Sequence, residues 1–175
     1  MNKYFLLLVF PLLLVFSCRK PPDYSDTPQI EFLSITTEQI FDQDNLGFVD
    51  SVSISIHFQD GDGDLGLDAS DIENSEKYVG DYIFNYFIDV YKKKEGKWEF
   101  IDFEEIGSSP SHARFPRLLI EGLSPIEGEL NFGITLVPSS LLKSNDTLRF
   151  DINIVDRDLR RSNTVTTDQI AFGIP

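Results

Sequence analysis

The chain has one cysteine, two histidines, one tryptophan and one methionine in 175 residues. A single thiol excludes an intramolecular disulfide, so the fold must rest on its core or on a bound ion. The two histidines, His57 and His112, stand far apart and outside any run of carboxylates. That argues against a catalytic metal centre of the zinc type. Positive charge is scarce as well: 15 Lys+Arg face 29 Asp+Glu, a net charge of -14. The balance disfavours nucleic acid and direct electrostatic docking on anionic lipid, because both present phosphates that need Lys and Arg. No apolar run reaches the roughly 20 residues that span a bilayer. The longest, Tyr4 to Phe16, holds 13 residues and is interrupted by Pro11.

That short run is informative where it stands. Met1-Asn2-Lys3 precedes it, Ser17 and Cys18 follow it, and Arg19-Lys20-Pro21-Pro22 comes next. A basic start, an apolar middle and a small residue at the boundary make a secretory signal peptide over residues 1–17. The stretch Val15-Phe16-Ser17-Cys18 resembles a bacterial lipobox. The resemblance implies that Cys18 is acylated, that the bond before it is cut, and that it becomes the lipid-bearing first residue. A plain secretory signal with an incidental cysteine is the alternative. Two or more acyl chains, at ~0.8 kcal/mol per buried CH₂, give stable anchoring. Processing would leave 158 residues, enough for one domain with a sizeable core. Residues 18–28 then form the lipidated N-terminus and a tether, since Arg19 to Pro28 holds three prolines and no periodic pattern. Extended at about 3.1 Å per residue, it would reach roughly 30 Å.

From Gln29 onward apolar residues recur at every second position. Ser51 to Phe58 places Val52, Ile54, Ile56 and Phe58 on one face and Ser51, Ser53, Ser55 and His57 on the other. Such a strand is buried on one side and wet on the other. Glu129 to Leu136 and Thr147 to Val155 repeat the pattern. Tyr82 to Lys92 is apolar on both faces and predicts a central strand, turning at Lys94-Glu95-Gly96 into a partner over Lys97–Phe103. Further strands are predicted near Ile30–Thr36, Arg117–Glu121 and Thr164–Phe172. Seven or eight strands without a long helix predict an all-β, two-sheet antiparallel sandwich of immunoglobulin-like kind over residues 29–175. A small closed barrel is the alternative.

The second informative stretch is Phe58-Gln59-Asp60-Gly61-Asp62-Gly63-Asp64-Leu65-Gly66-Leu67-Asp68. Glycines let the backbone wrap tightly enough to crowd the acids, and a hard divalent cation resolves their repulsion. Asp60, Asp62, Asp64 and Asp68 are therefore candidate ligands for structural Ca²⁺. The pattern resembles Asp-x-Asp-x-Asp calcium loops without being an EF-hand: Leu65 stands where that loop needs glycine, and Asp71 where it needs glutamate. Two ion-free readings compete, a solvated Asp/Gly turn and a capping box over Ser70-Asp71-Ile72-Glu73. In a sandwich the loop Asp156-Arg157-Asp158-Leu159-Arg160-Arg161-Ser162-Asn163 emerges at the same end as the Asp60 loop. Asp156 or Asp158 would then complete a cation site, or Arg157, Arg160 and Arg161 would neutralise the acids as ion pairs.

Lipobox, tether, the Phe58–Gly66 stretch and the late Ile154–Thr164 segment together resemble small outer-membrane lipoproteins of the Bacteroidota. The resemblance implies an immunoglobulin-like or fibronectin III-like sandwich, lipid-anchored at the outer membrane on its periplasmic or surface face, and it carries over no catalytic residue. Enzyme readings find little footing. Ser111-His112 lies in a polar loop, and Glu104-Glu105 offers no separated acid pair. Trp98 with Tyr86 and Tyr91 predicts core aromatics, with a sugar-stacking platform as the alternative. The expected function is a non-catalytic interaction or accessory module whose partner is another envelope protein. A carbohydrate-binding module of a surface glycan-handling system is the rival.

Overall fold

The computed structural model describes residues 22–43, 46–106, 112–118 and 125–174. The expected signal peptide, residues 1–17, and Cys18 lie outside them. Eight strands run in chain order: β1 (Gln29–Asp42), β2 (Gly47–Asp60), β3 (Tyr86–Lys94), β4 (Lys97–Phe100), β5 (Ile126–Leu136), β6 (Thr147–Ile154), β7 (Val165–Thr166) and β8 (Ile170–Ala171). A one-turn helix, α1 (Ala69–Glu73), follows β2. One sheet has the order β1-β2-β5 and the other β4-β3-β6-β7, with β8 also on β6. All pairings are antiparallel. This is the expected two-sheet sandwich, with the strand distribution of an immunoglobulin-like fold.

Alternation builds the core. Val52, Ile54 and Ile56 of β2 are fully buried and meet Ile88 and Val90 of β3 and Phe150, Ile152 and Ile154 of β6 across the inter-sheet space. Leu130, Phe132 and Ile134 of β5 close one flank, and Phe132 stacks on the Tyr86 ring at 5.0 Å. Two-residue periodicity thus fixes which face of each strand leaves water.

Three expected strands are corrected. Tyr82 begins no strand: residues Gly80–Ile83 make a single 3-10 turn, and β3 starts at Tyr86. The cause is Asn85, whose side chain bonds the Phe115 backbone twice, its amide donating to the carbonyl at 3.0 Å and its oxygen accepting from the N–H at 2.9 Å. A side chain occupies the place of a strand ladder there. Arg117 and Leu118 are irregular because the Arg117 N–H and guanidinium are drawn to Asp68 and Asp71; the rest of that expected strand lies outside the described residues. Thr164–Phe172 divides into β7 and β8 at Thr167, whose hydroxyl accepts from the Phe150 N–H at 3.0 Å.

Candidate metal centre

Strand β2 delivers Asp60 to the end of the sandwich, and the chain then turns through Asp62 and Asp64. Gly63 and Gly66 take positive φ, 71° and 92°, which lets the loop curl back on itself. Leu65 and Leu67 are buried and fasten the loop to the body. Strand β6 delivers Asp156 and Asp158 to the same end. The Arg157 N–H donates to the Asp64 carbonyl at 3.3 Å, and its guanidinium donates to the Leu65 carbonyl at 3.1 Å. Two loops separated by more than ninety residues thus share one acidic pole.

Two overlapping groups of carboxylates form there: Asp60, Asp64 and Asp156, and Asp62, Asp64 and Asp158. Within each group one oxygen per residue lies within 4.8 Å of the others. The first is the drier group. Asp60 is 0% exposed and Asp156 3%. Asp60 Oδ2 accepts from the Asp64 N–H at 3.0 Å, whereas Asp60 Oδ1, Asp62 Oδ1 and Asp64 Oδ1 are buried without a hydrogen-bond partner. Burial, with Asp62 beside it, pushes the Asp60 carboxyl up to about 6. Burial and the neighbouring Asp156 push Asp64 up to about 7. Asp156 is raised too, again by burial.

The second group carries its own cation. Arg160 donates to Asp62 Oδ2 at 2.5 Å and to Asp158 Oδ2 at 3.0 Å, and reaches Asp156 Oδ2 at 3.4 Å. Lys77 adds a second partner for Asp158 at 3.1 Å and holds its carboxyl below the usual range. The two expectations for this end therefore divide. Ion pairing through Arg160 serves Asp62 and Asp158 of the outer group and also reaches Asp156 of the inner one. In the inner group Asp60 and Asp64 keep unpartnered buried oxygens, while both Asp156 oxygens are held by Arg160.

One oxygen from each of these three carboxylates fits a hard cation. Ca²⁺ binds oxygen at 2.3–2.6 Å, so two ligands on one ion stand at most about 5 Å apart. The 4.8 Å limit meets that condition. Ligands made only of oxygen suit Ca²⁺ better than Zn²⁺, which prefers nitrogen and sulfur.

Asp68 joins neither group. It stands at the N-cap of α1, its N–H donates to Asp71 Oδ2 at 2.9 Å, and its Oδ1 accepts from the Arg117 N–H at 3.1 Å. The capping pair is thus Asp68 with Asp71, two residues earlier than the expected Ser70 with Glu73. Arg161 also leaves the pole, donating to Asn153 and lying 4.3 Å over the Phe87 ring. Sequence reasoning missed the residues that bind the N-terminal segment to this end, because single hydrogen bonds from Gly61 and Asn163 leave no periodic trace.

Elsewhere the aromatic expectation divides as well. Tyr86 is core, but Trp98 is half-buried on the outward face of β4. Arg149 is wedged between it and Tyr91, 4.8 and 5.2 Å from the ring centroids. Trp98 faces outward because it pairs with Lys93, which projects from the solvent side of β3. His112 is half-buried against Phe87, its Nδ1 accepting from the Ile88 N–H at 3.3 Å, and burial lowers its pKa. No family model, no curated protein and no solved structure matches the chain.

Proposed function

We propose that this protein is a lipid-anchored envelope lipoprotein whose β-sandwich serves as a non-catalytic interaction module, with its acidic pole tied together by structural Ca²⁺. The observation that carries the cation reading is the fully buried Asp60, which has one oxygen without a partner and shares its site with Asp64 and Asp156. Asp60 and Asp64 ionised together beside Asp156, with Arg160 reaching only Asp156 of the three, are costly unless a cation joins them. Asp60, Asp64 and Asp156 would hold the ion, with Asp62 on the rim, and Arg160 would balance the outer acids. The anchor reading rests on Lys3, the apolar run and the Ser17-Cys18 boundary, and the outer-membrane address on the resemblance to Bacteroidota lipoproteins.

Two measurements test the proposal. Metabolic labelling with a radioactive fatty acid should mark the wild type and leave Cys18→Ala unlabelled and untethered; label persisting in the variant would remove the anchor. Calorimetric titration with CaCl₂ should give one binding event that is absent in Asp60→Ala/Asp62→Ala. The carbohydrate-binding reading fares less well, since the Trp98 ring already has Arg149 and Lys93 as cationic neighbours.

A further inference from the structure

Residues 24–28 do not stand clear of the sandwich as a free tether would; they lie along its acidic pole. The Ser25 carbonyl accepts from the Gly61 N–H at 2.8 Å, and the Asp26 carbonyl accepts from Arg160 at 2.9 Å. The Tyr24 hydroxyl donates to Glu127 at 2.5 Å. Pro28 is buried, and the Asn163 side chain holds both the N–H and the carbonyl of Ile30, each at 2.8 Å. The contact at Gly61 is close: a Cβ there would stand 2.5 Å from the Tyr24 carbonyl oxygen and 2.8 Å from the Ser25 carbonyl carbon. Gly61 sits between Asp60 and Asp62, and Arg160 is the counter-ion of Asp62, Asp156 and Asp158. Two of the groups that hold the N-terminal segment, Gly61 and Arg160, therefore belong to the acidic pole.

We infer that the cation site is a latch on the chain's own N-terminal segment. A divalent cation on Asp60, Asp64 and Asp156 fixes both loops in the geometry that seats residues 24–28, and removing it unseats them. The inference rests on the cation reading above. Without the ion the three carboxylates repel one another in a dry setting, and relief of that repulsion displaces the 60–64 loop and Arg160. These are the two donors that face the segment. The latch governs reach. With residues 24–28 seated, five residues separate Cys18 from the seated segment; with them released, ten residues separate it from β1, and an extended tether gains about 15 Å of reach. Loaded, the pole sits close to the anchoring surface; unloaded, the domain stands farther out.

The experiment uses the full-length protein extracted in detergent, in excess CaCl₂ or excess EGTA, with calcium binding measured separately by calorimetry. Two readouts follow the segment: amide exchange at Gly61, whose N–H bonds Ser25, and chymotryptic cleavage after Tyr24. Both should be about ten-fold slower with calcium, within the usual range for coupled sites. Gly61→Ala keeps every carboxylate but has no room for the segment. It should be cleaved fast in both conditions and bind calcium about ten-fold more weakly, since coupling is reciprocal. Should that variant fail to fold, Tyr24→Phe removes a bond made away from the carboxylates and should speed cleavage in calcium. If calcium binds but exchange and cleavage ignore it, the latch is wrong and the cation site stands. If no calcium binds, both fall.

Discussion

Asp50 and Asp60 lie near opposite ends of β2, and both are buried, at 2% and 0% exposure. Each has one oxygen bound by a backbone N–H, from Gly173 at 2.7 Å and from Asp64 at 3.0 Å, and one oxygen with no partner. They differ in their company. Asp50 belongs to no group of acids among the described residues, so its bond to Gly173 simply pins the C-terminal segment to the sheet. Asp60 shares its site with Asp64 and Asp156. A solitary buried carboxylate can be a tie made by one hydrogen bond, whereas like-charged neighbours raise the cost of keeping every carboxylate ionised. The neighbours, not burial, separate the two residues.

The sharpest way to break this comparison is to remove the ion. At a hundred times its Kd, Ca²⁺ should add about 2.7 kcal/mol, which raises Tm by roughly 5–10 °C for a chain of this size. A melting curve identical in chelator and in calcium would put Asp60 in the same class as Asp50. Next comes substitution at the two ends. Asp50→Ala leaves the Gly173 N–H without its acceptor and should cost about 1–3 kcal/mol, with the calcium increment unchanged. Asp60→Asn/Asp64→Asn should lose the calcium increment while staying as stable as wild type in chelator, because the repulsion is gone. If Asp50→Ala abolished the calcium response instead, the two ends would be coupled and the contrast would fail.

The third prediction concerns pH. The Asp60 and Asp64 carboxyls, pushed up to about 6 and about 7 from 3.8, keep protons in the chelated fold that the unfolded chain releases near 4. Raised carboxyl pKa values make stability fall as pH climbs from about 4 towards 7. Calcium needs the ionised acids and reverses the slope. Measured against Asp60→Asn/Asp64→Asn, wild type in chelator should therefore lose stability over that interval, and in calcium it should gain. Matching slopes in the two conditions would overturn the assignment. The smallest effect belongs to Trp98→Ala, which gives up a half-exposed ring over Arg149 and should cost about 0.5–1 kcal/mol. Unfolding of that variant would restore Trp98 to the core.

The sandwich was legible in the sequence wherever alternation was clean, as in Ser51–Phe58 and Thr147–Val155, because period-two burial leaves an imprint on residue type. It failed where side chains replaced backbone partners. Asn85 and Thr167 each substitute for a ladder contact, and neither differs in composition from an ordinary polar residue. The acidic pole was half legible. Asp60, Asp62 and Asp64 announced themselves by spacing, and the strand order brought Asp156 and Asp158 to them. Which of three neighbouring arginines would serve as counter-ion was not readable, since Arg157, Arg160 and Arg161 differ only in the direction a twisting loop gives them. The seating of residues 24–28 was hidden by prolines, whose extended habit looks the same in a free linker and in a docked strip.

Thr167 also settles a matter of phase. Val165 and Thr167 turn inward, as alternate residues should, and the next inward residues are Ile170 and Phe172, three and five places on. One residue too many has been absorbed at Asp168–Gln169, while the Thr167 hydroxyl and N–H both stay on Phe150. The final strand of the sandwich is therefore two half-strands offset by a beat, and losing a single residue at that joint would merge them without turning either greasy edge towards water.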